Sequence, residues 1–163
     1  MAGLSGRIGG AFVGYNVQAE YHADDGRIVG RMGGQLQGKD LNFCFDGAQL
    51  WGRWGGTFEG KDINCAVTES ALAGRMGGRA FGYDLDLHDD GNVVTGRCGG
   101  PVGGFDVFLN RGAEGSLTGR LGGSTFGKDC DLQVEGLPAL VAAALACAVY
   151  YQLAQDRQNH SHH

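Results

Sequence analysis

One motif recurs six times along the chain, and it constrains the fold more than any other feature. Each copy follows the pattern G-R-h-G-G-x-x-x-G-[K/Y/F]-[D/N]-h-x-h without a gap, where h is apolar. A regular spacing of this kind is typical of a fold that repeats one supersecondary unit. Successive copies start 24, 22, 22, 22 and 23 residues apart, at Gly6, Gly30, Gly52, Gly74, Gly96 and Gly119.

Each unit is predicted to form two β-strands, because apolar residues alternate with polar ones on both sides of the variable triplet. In the first copy, Leu4 and Ile8 mark the apolar face of one strand, and Val17 and Ala19 mark that of the next. The link between the two strands is too short for a parallel crossover. Asp-Gly pairs at several junctions between units also favour tight turns. The sequence therefore predicts an antiparallel meander of twelve strands.

This hairpin register places the arginine at motif position two opposite the residue at position eleven. In a parallel solenoid, the competing architecture, equivalent charges would stack in unbroken columns, whereas the meander interleaves opposite charges. We interpret the set as a solvated charge ladder on the outer face, in preference to a ligand-binding belt. The pairs are Arg7 with Asn16, Arg31 with Asp40, Arg53 with Asp62, Arg75 with Asp84, Arg97 with Asp106, and Arg120 with Asp129.

Closure of the sheet into an up-and-down barrel would remove both free edges and cover its apolar face. Twelve strands enclose a lumen about 11 to 12 Å in radius, which wall side chains do not fill. The segment after Pro138 is apolar on every face as far as Tyr151, so it is predicted to be a helix inside the lumen. The predicted domain comprises a barrel at 1–136 and a helix at 137–156, followed by a disordered polar tail at 157–163, either native or tag-derived.

Glycine is far more abundant than in an average protein, with 32 residues in the chain of 163. The leading glycine of each copy and the second glycine of its Gly-Gly pair are predicted to face inward, where a missing side chain relieves crowding. The remaining glycines face outward and form either a flat strip or a bulge. The glycine is thus architectural.

Charge and cysteine usage argue against several classes of function. A formal net charge of −5 and a pI near 5.4 argue against a nucleic-acid partner. The five cysteines lack the spacing of a zinc site, and they are expected to be reduced thiols in a cytoplasmic protein. No export signal is visible, and no nucleophile has a recognisable partner arrangement. We therefore expect a non-catalytic, monomeric protein without a cofactor or metal.

The candidate ligand-binding residues are Lys39, Lys61 and Lys128, the only lysines in the chain. All three occupy motif position ten, where the other copies have Tyr15, Tyr83 and Phe105. Near one rim of the barrel, they would meet anionic lipid head groups. The alternative is that they extend from the barrel mouth and only cover apolar surface.

Twelve antiparallel strands closed around the terminal stretch LPALVAAALACAVYYQLAQD resemble the tubby C-terminal-like superfamily. That superfamily includes tubby domains, LURP-one-related proteins and phospholipid scramblases. The resemblance covers almost the whole chain and implies association with membrane lipid. It implies phosphoinositide recognition by analogy with tubby domains, or calcium-dependent lipid scrambling by analogy with scramblases. A tail-anchored scaffold, with the helix in the bilayer and the repeats self-assembling as a solenoid or open sheet, is the alternative.

Overall fold

The predicted twelve-stranded closed antiparallel barrel with one C-terminal helix is confirmed. The computed structural model describes residues 2–10, 13–33, 38–55, 60–77, 82–99, 103–122 and 127–161, the last four by their backbone only. The elements are β1 (Gly3–Gly9), β2 (Gly14–His22), β3 (Arg27–Gly33), β4 (Gly38–Phe45), β5 (Gln49–Trp54), β6 (Lys61–Val67), β7 (Ala71–Gly77), β8 (Gly82–Asp89), β9 (Val93–Gly99), β10 (Gly104–Arg111), β11 (Ser116–Gly122), β12 (Gly127–Glu135) and α1 (Ala139–Ser161).

Every strand pairs antiparallel with its neighbours in sequence, and β1 pairs with β12 to close the barrel. The register places Arg31 opposite Asp40 and Arg53 opposite Asp62, as the hairpin geometry predicts. All pairings among the described strands are antiparallel, so these strands do not form the parallel coils of a solenoid. Alternation along each strand directs one set of side chains inward, and this set forms a single buried core with the helix.

The helix α1 occupies the lumen. From Val141 to Val149, each residue is at most 1% exposed, which only a surrounding wall can achieve for a helix that is apolar on all sides. Alanine-rich composition keeps the helix thin. Its backbone approaches β1, β2 and β7 to β12 most closely, while bulky Phe43 and Trp54 on β4 and β5 fill space on the opposite wall.

The helix is longer than predicted. It continues to Ser161, so the prediction of a disordered tail from residue 157 is wrong for residues 157–161, and residues 162 and 163 lie outside the described residues. The segment contains neither glycine nor proline, and residues such as Gln155 and Arg157 favour helix. Nothing in the local sequence therefore ends the helix where it leaves the barrel at Ala154.

The leading glycines allow neighbouring strands to approach closely. A Cβ atom added at any of the six would lie 2.0–2.3 Å from a backbone carbonyl oxygen of the adjacent strand. No real Cβ occupies such a position, so these sites exclude every other residue unless the wall moves. Among the second glycines of the Gly-Gly pairs, Gly10 is the one that lies within the described residues. Crowding does not explain this glycine, because a Cβ added there would meet nothing within 4 Å. Its counterparts Gly34, Gly56, Gly78, Gly100 and Gly123 lie outside the described residues.

The outward glycines form a flat strip. Gly33 pairs with Gly38 in regular register, as Gly77 does with Gly82, so no bulge interrupts the ladder there. An added Cβ at Gly38 would lie 2.7 Å from Nε of Arg31. The Arg31 side chain therefore lies across Gly38 in the glycine strip and reaches Asp40.

Replacing a leading glycine should unfold the wall locally. We expect Gly74→Ala to lower the free energy of unfolding by about 3 kcal/mol or more, because its Cβ would lie 2.1 Å from the Asn64 carbonyl oxygen. Gly10→Ala is the matched control and should change stability by less than about 0.5 kcal/mol. Urea denaturation, monitored by tryptophan fluorescence, measures the free energy of unfolding of both variants. Equal stability of the two variants would contradict the steric explanation.

Four of the five free cysteines are buried, with thiols that resist ionisation. Burial raises the pKa of Cys65 and Cys130 to about 12, and it also raises the pKa of Cys98 and of Cys147 on α1. Because the thiolate is the reactive form, these side chains behave as small apolar groups. Cys44 is only half-buried.

Thiol labelling tests whether α1 lies inside the barrel. The native protein should gain one N-ethylmaleimide adduct, at Cys44, and all five cysteines should react after denaturation. Cys44→Ser should gain none in the native state on the same time scale. Peptide mass spectrometry locates the adducts, and rapid modification of Cys147 in the native protein would place the helix outside the wall.

Candidate functional site: the barrel mouth

Six side chains at motif position ten form a ring at one end of the barrel, around the emerging helix. Lys39 pairs across the sheet with Met32, and Lys61 with Trp54. Because directly opposed residues share a face, the position-ten residues lie on the inward side of the wall. We call this end the mouth and these residues the mouth ring: Tyr15, Lys39, Lys61, Tyr83, Phe105 and Lys128.

The three candidate lysines are thus brought to the same opening. Each is half-buried, and within the described part of the chain none forms an ion pair with a carboxylate. Around the closed barrel, Lys128, Tyr15, Lys39 and Lys61 lie on consecutive even-numbered strands. The lysines therefore occupy one part of the ring, and Tyr83 and Phe105 occupy the rest.

A buried hydrogen-bond network fixes the helix at the mouth. The Trp54 indole Nε1 donates to Oε1 of Gln152 at 3.0 Å, and Nε2 of Gln152 donates to Oδ1 of Asp156 at 2.9 Å. The hydroxyl of Tyr15 donates to the same carboxylate. Burial, with a smaller effect of Asp156, raises the pKa of Tyr15 above its ordinary value. Gln152 and Asp156 were not predicted as site residues from the sequence, although their four-residue spacing places them on one helix face.

Four aromatic rings line a pocket on the other side of the mouth. Tyr83 meets Tyr151 at a centroid distance of 5.3 Å and an interplanar angle of 83°. Phe105 meets Tyr150 at 4.5 Å and 59°, and Tyr83 at 6.3 Å and 74°. The pocket has a volume of about 140 Å³. Burial raises the pKa of Tyr150 and of Tyr151, so both phenols stay neutral.

The charge ladder lies on the outer surface beside the mouth. Its five arginine–aspartate pairs have N–O distances of 2.8–3.2 Å. The side chains are well exposed, so each pair stabilises the wall only weakly. Arg7 instead donates from Nη1 to Oδ1 of Asn16 at 2.9 Å, and from Nε to the Gly10 carbonyl oxygen at 2.9 Å.

The opposite end, where successive units are joined, is strongly acidic. We call it the turn end. It carries two arginines, Arg27 and Arg111, and Arg111 pairs with Asp89 at 2.9 Å. The carboxylates at the same end outnumber the arginines; they are Glu20, Asp24, Asp25, Asp46, Glu69, Asp89, Asp90, Glu114 and Glu135.

Several turn-end carboxylates serve the turns themselves. Asp46 accepts the backbone N–H groups of Ala48 and Gln49, and these bonds lower the pKa of Asp46. Asp90 is held in the same way by the backbone N–H groups of Asn92 and Val93. Within the described ranges, no group of three or more potential metal ligands is present.

No protein-family model, curated protein or solved structure matches this chain. By length and composition, the segment Ala139–Arg157 could cross a membrane, but 72% of its most apolar window is buried inside the barrel.

The mouth network should contribute to stability. In Gln152→Leu the buried Trp54 indole N–H loses its acceptor, and we expect the free energy of unfolding to fall by about 1–3 kcal/mol. Gln155→Leu is the matched control, because Gln155 donates only a longer 3.3 Å bond to the Tyr151 hydroxyl. Thermal and urea unfolding measure the difference. A Gln155→Leu variant as unstable as Gln152→Leu would show that the indole bond has no special role.

Proposed function

We propose that this protein is a non-catalytic membrane-surface protein whose mouth binds anionic lipid head groups through Lys39, Lys61 and Lys128. The observation that supports this most directly is the convergence of three lysines without carboxylate partners, among the described residues, on one opening. Lysine in this setting is a mobile cation suited to phosphate and carboxylate groups of varied geometry. The resemblance to the tubby-like superfamily implies the same class of ligand.

The distribution of charge favours one orientation on a membrane. Each lysine near an anionic surface contributes about 1 kcal/mol of attraction, so the three contribute about 3 kcal/mol. The acidic turn end is repelled by the same surface, but it lies a barrel length away, beyond the Debye length of about 8 Å in physiological salt. A protein with a net charge of −5 thereby presents a cationic face to the membrane.

The contact is with head groups and not with acyl chains inside the barrel. Residues of α1 from Val141 to Val149 are at most 1% exposed and fill the lumen. A tail-anchored arrangement would require α1 to leave this core, which would expose the apolar lining of all twelve strands. We therefore place the lipid contact at the mouth surface.

Charge removal at the mouth should weaken vesicle binding. For Lys39→Gln/Lys61→Gln we expect an about 30-fold loss of partitioning onto vesicles containing phosphatidylserine, from about 2 kcal/mol of lost attraction. The matched control, Arg27→Gln/Arg111→Gln, removes the same charge at the turn end and should change partitioning less than about threefold. Sedimentation with sucrose-loaded vesicles measures both, and equal losses for the two variants would refute mouth-first binding.

A further inference from the structure

We propose that the aromatic pocket of the mouth binds a quaternary ammonium group, and that its ligand is the choline head group of a membrane phospholipid. This inference rests on the proposed membrane-surface function and adds a specific lipid class to it. The pocket lies between Tyr83 and Phe105 of the wall and Tyr150 and Tyr151 of α1.

Neighbouring rings pack at steep angles of 83°, 74° and 59° and do not stack face to face. A pocket with a volume of about 140 Å³ lies against them. That volume is on the scale of one small organic cation. Gly104 and Ala154 are exposed at its border, and their small size leaves the pocket open to solvent.

The chemistry of the lining selects a quaternary over a primary ammonium. The negative faces of aromatic rings attract cations, and such cages recognise trimethylammonium groups. Among the described residues that line the pocket there is no carboxylate, and the polar side-chain groups are the phenol hydroxyls and the Gln155 amide. A primary ammonium would lose hydrogen bonds to water without adequate replacement, whereas a trimethylammonium group has no N–H groups to satisfy.

Lysines flank the aromatic pocket on both sides. Tyr83 and Phe105 lie on β8 and β10, while Lys61 lies on β6 and Lys128 on β12. Each lysine is two strands from the nearer wall ring, about 10 Å along the sheet. In a choline phospholipid, the phosphate is joined to the ammonium by a two-carbon link. The mouth thus offers a cage for the cation and an adjacent lysine for the phosphate.

The test compares vesicles that differ only in their neutral lipid. At a constant fraction of phosphatidylserine, we expect the protein to bind vesicles of phosphatidylcholine about tenfold more tightly than vesicles of phosphatidylethanolamine. In Tyr83→Leu/Tyr150→Leu this preference should vanish, while the dependence on phosphatidylserine remains. Tyr21→Leu, an aromatic change remote from the pocket, is the matched control and should keep the preference.

A second variant separates ligand binding from folding. Ala154→Leu leaves all four rings in place and fills the pocket from an exposed helix position, so it should lose the choline preference without a loss of stability or of thiol protection. Soluble phosphocholine should compete with phosphatidylcholine vesicles for the unmodified protein. A trimethyl-lysine peptide that binds while vesicles show no choline preference would overturn the lipid assignment.

The outcomes distinguish this inference from the proposed function. If Lys39→Gln/Lys61→Gln weakens binding but the two neutral lipids bind equally, the choline site is refuted and the anionic contact stands. If the lysine variant binds normally while Ala154→Leu abolishes a phosphatidylcholine preference, the choline site stands and the lysine contact is refuted.

Discussion

The structure depends on the fit between a thin apolar helix and the lumen of a twelve-stranded barrel. Wall side chains of a barrel this wide do not meet at its axis, and the alanine-rich stretch of α1 supplies the missing volume, with Ala142 to Ala144 fully buried. An apolar helix in water and an empty apolar lumen would each leave a large apolar surface hydrated. We therefore expect neither part to be stable alone, and the wall and the helix to fold as one unit.

The glycines set the shape of that wall. At each leading glycine, a carbonyl oxygen of the next strand comes within 2.0–2.3 Å of the position a Cβ would take, which lets the sheet coil tightly around the helix. The outward strip serves a second purpose, since it gives the arginines of the ladder a flat surface to cross. One motif thus specifies the curvature of the wall and the position of its surface charges.

The repeated part of the fold could be predicted from sequence, because the fixed spacing within each copy of the motif determines which residues of neighbouring strands pair. Once Arg31 faces Asp40, every other pair in the ladder follows, and so does the inward direction of Lys39, Lys61 and Lys128. Barrel closure is predicted separately, because an open sheet would leave two free edges and an uncovered apolar face. The contacts between wall and helix could not be predicted in this way. The bond from Trp54 to Gln152 and the pocket between Phe105 and Tyr150 depend on how the helix is rotated about its axis, and a helix that is apolar on every face carries no periodicity that fixes this rotation.

Polar contacts fix the rotation of α1 about its axis. Six similar hairpins present similar apolar linings, so burial alone distinguishes poorly among several orientations of α1. Gln152 satisfies the only indole N–H of the mouth, and Asp156 accepts the Tyr15 hydroxyl from a single copy of the motif. These directional bonds select one orientation, and that orientation turns Tyr150 and Tyr151 toward Tyr83 and Phe105. Departures from the repeat at position three, where Trp54 stands, and at position ten, where Tyr15, Tyr83 and Phe105 stand, therefore both hold the helix and create the aromatic side of the mouth.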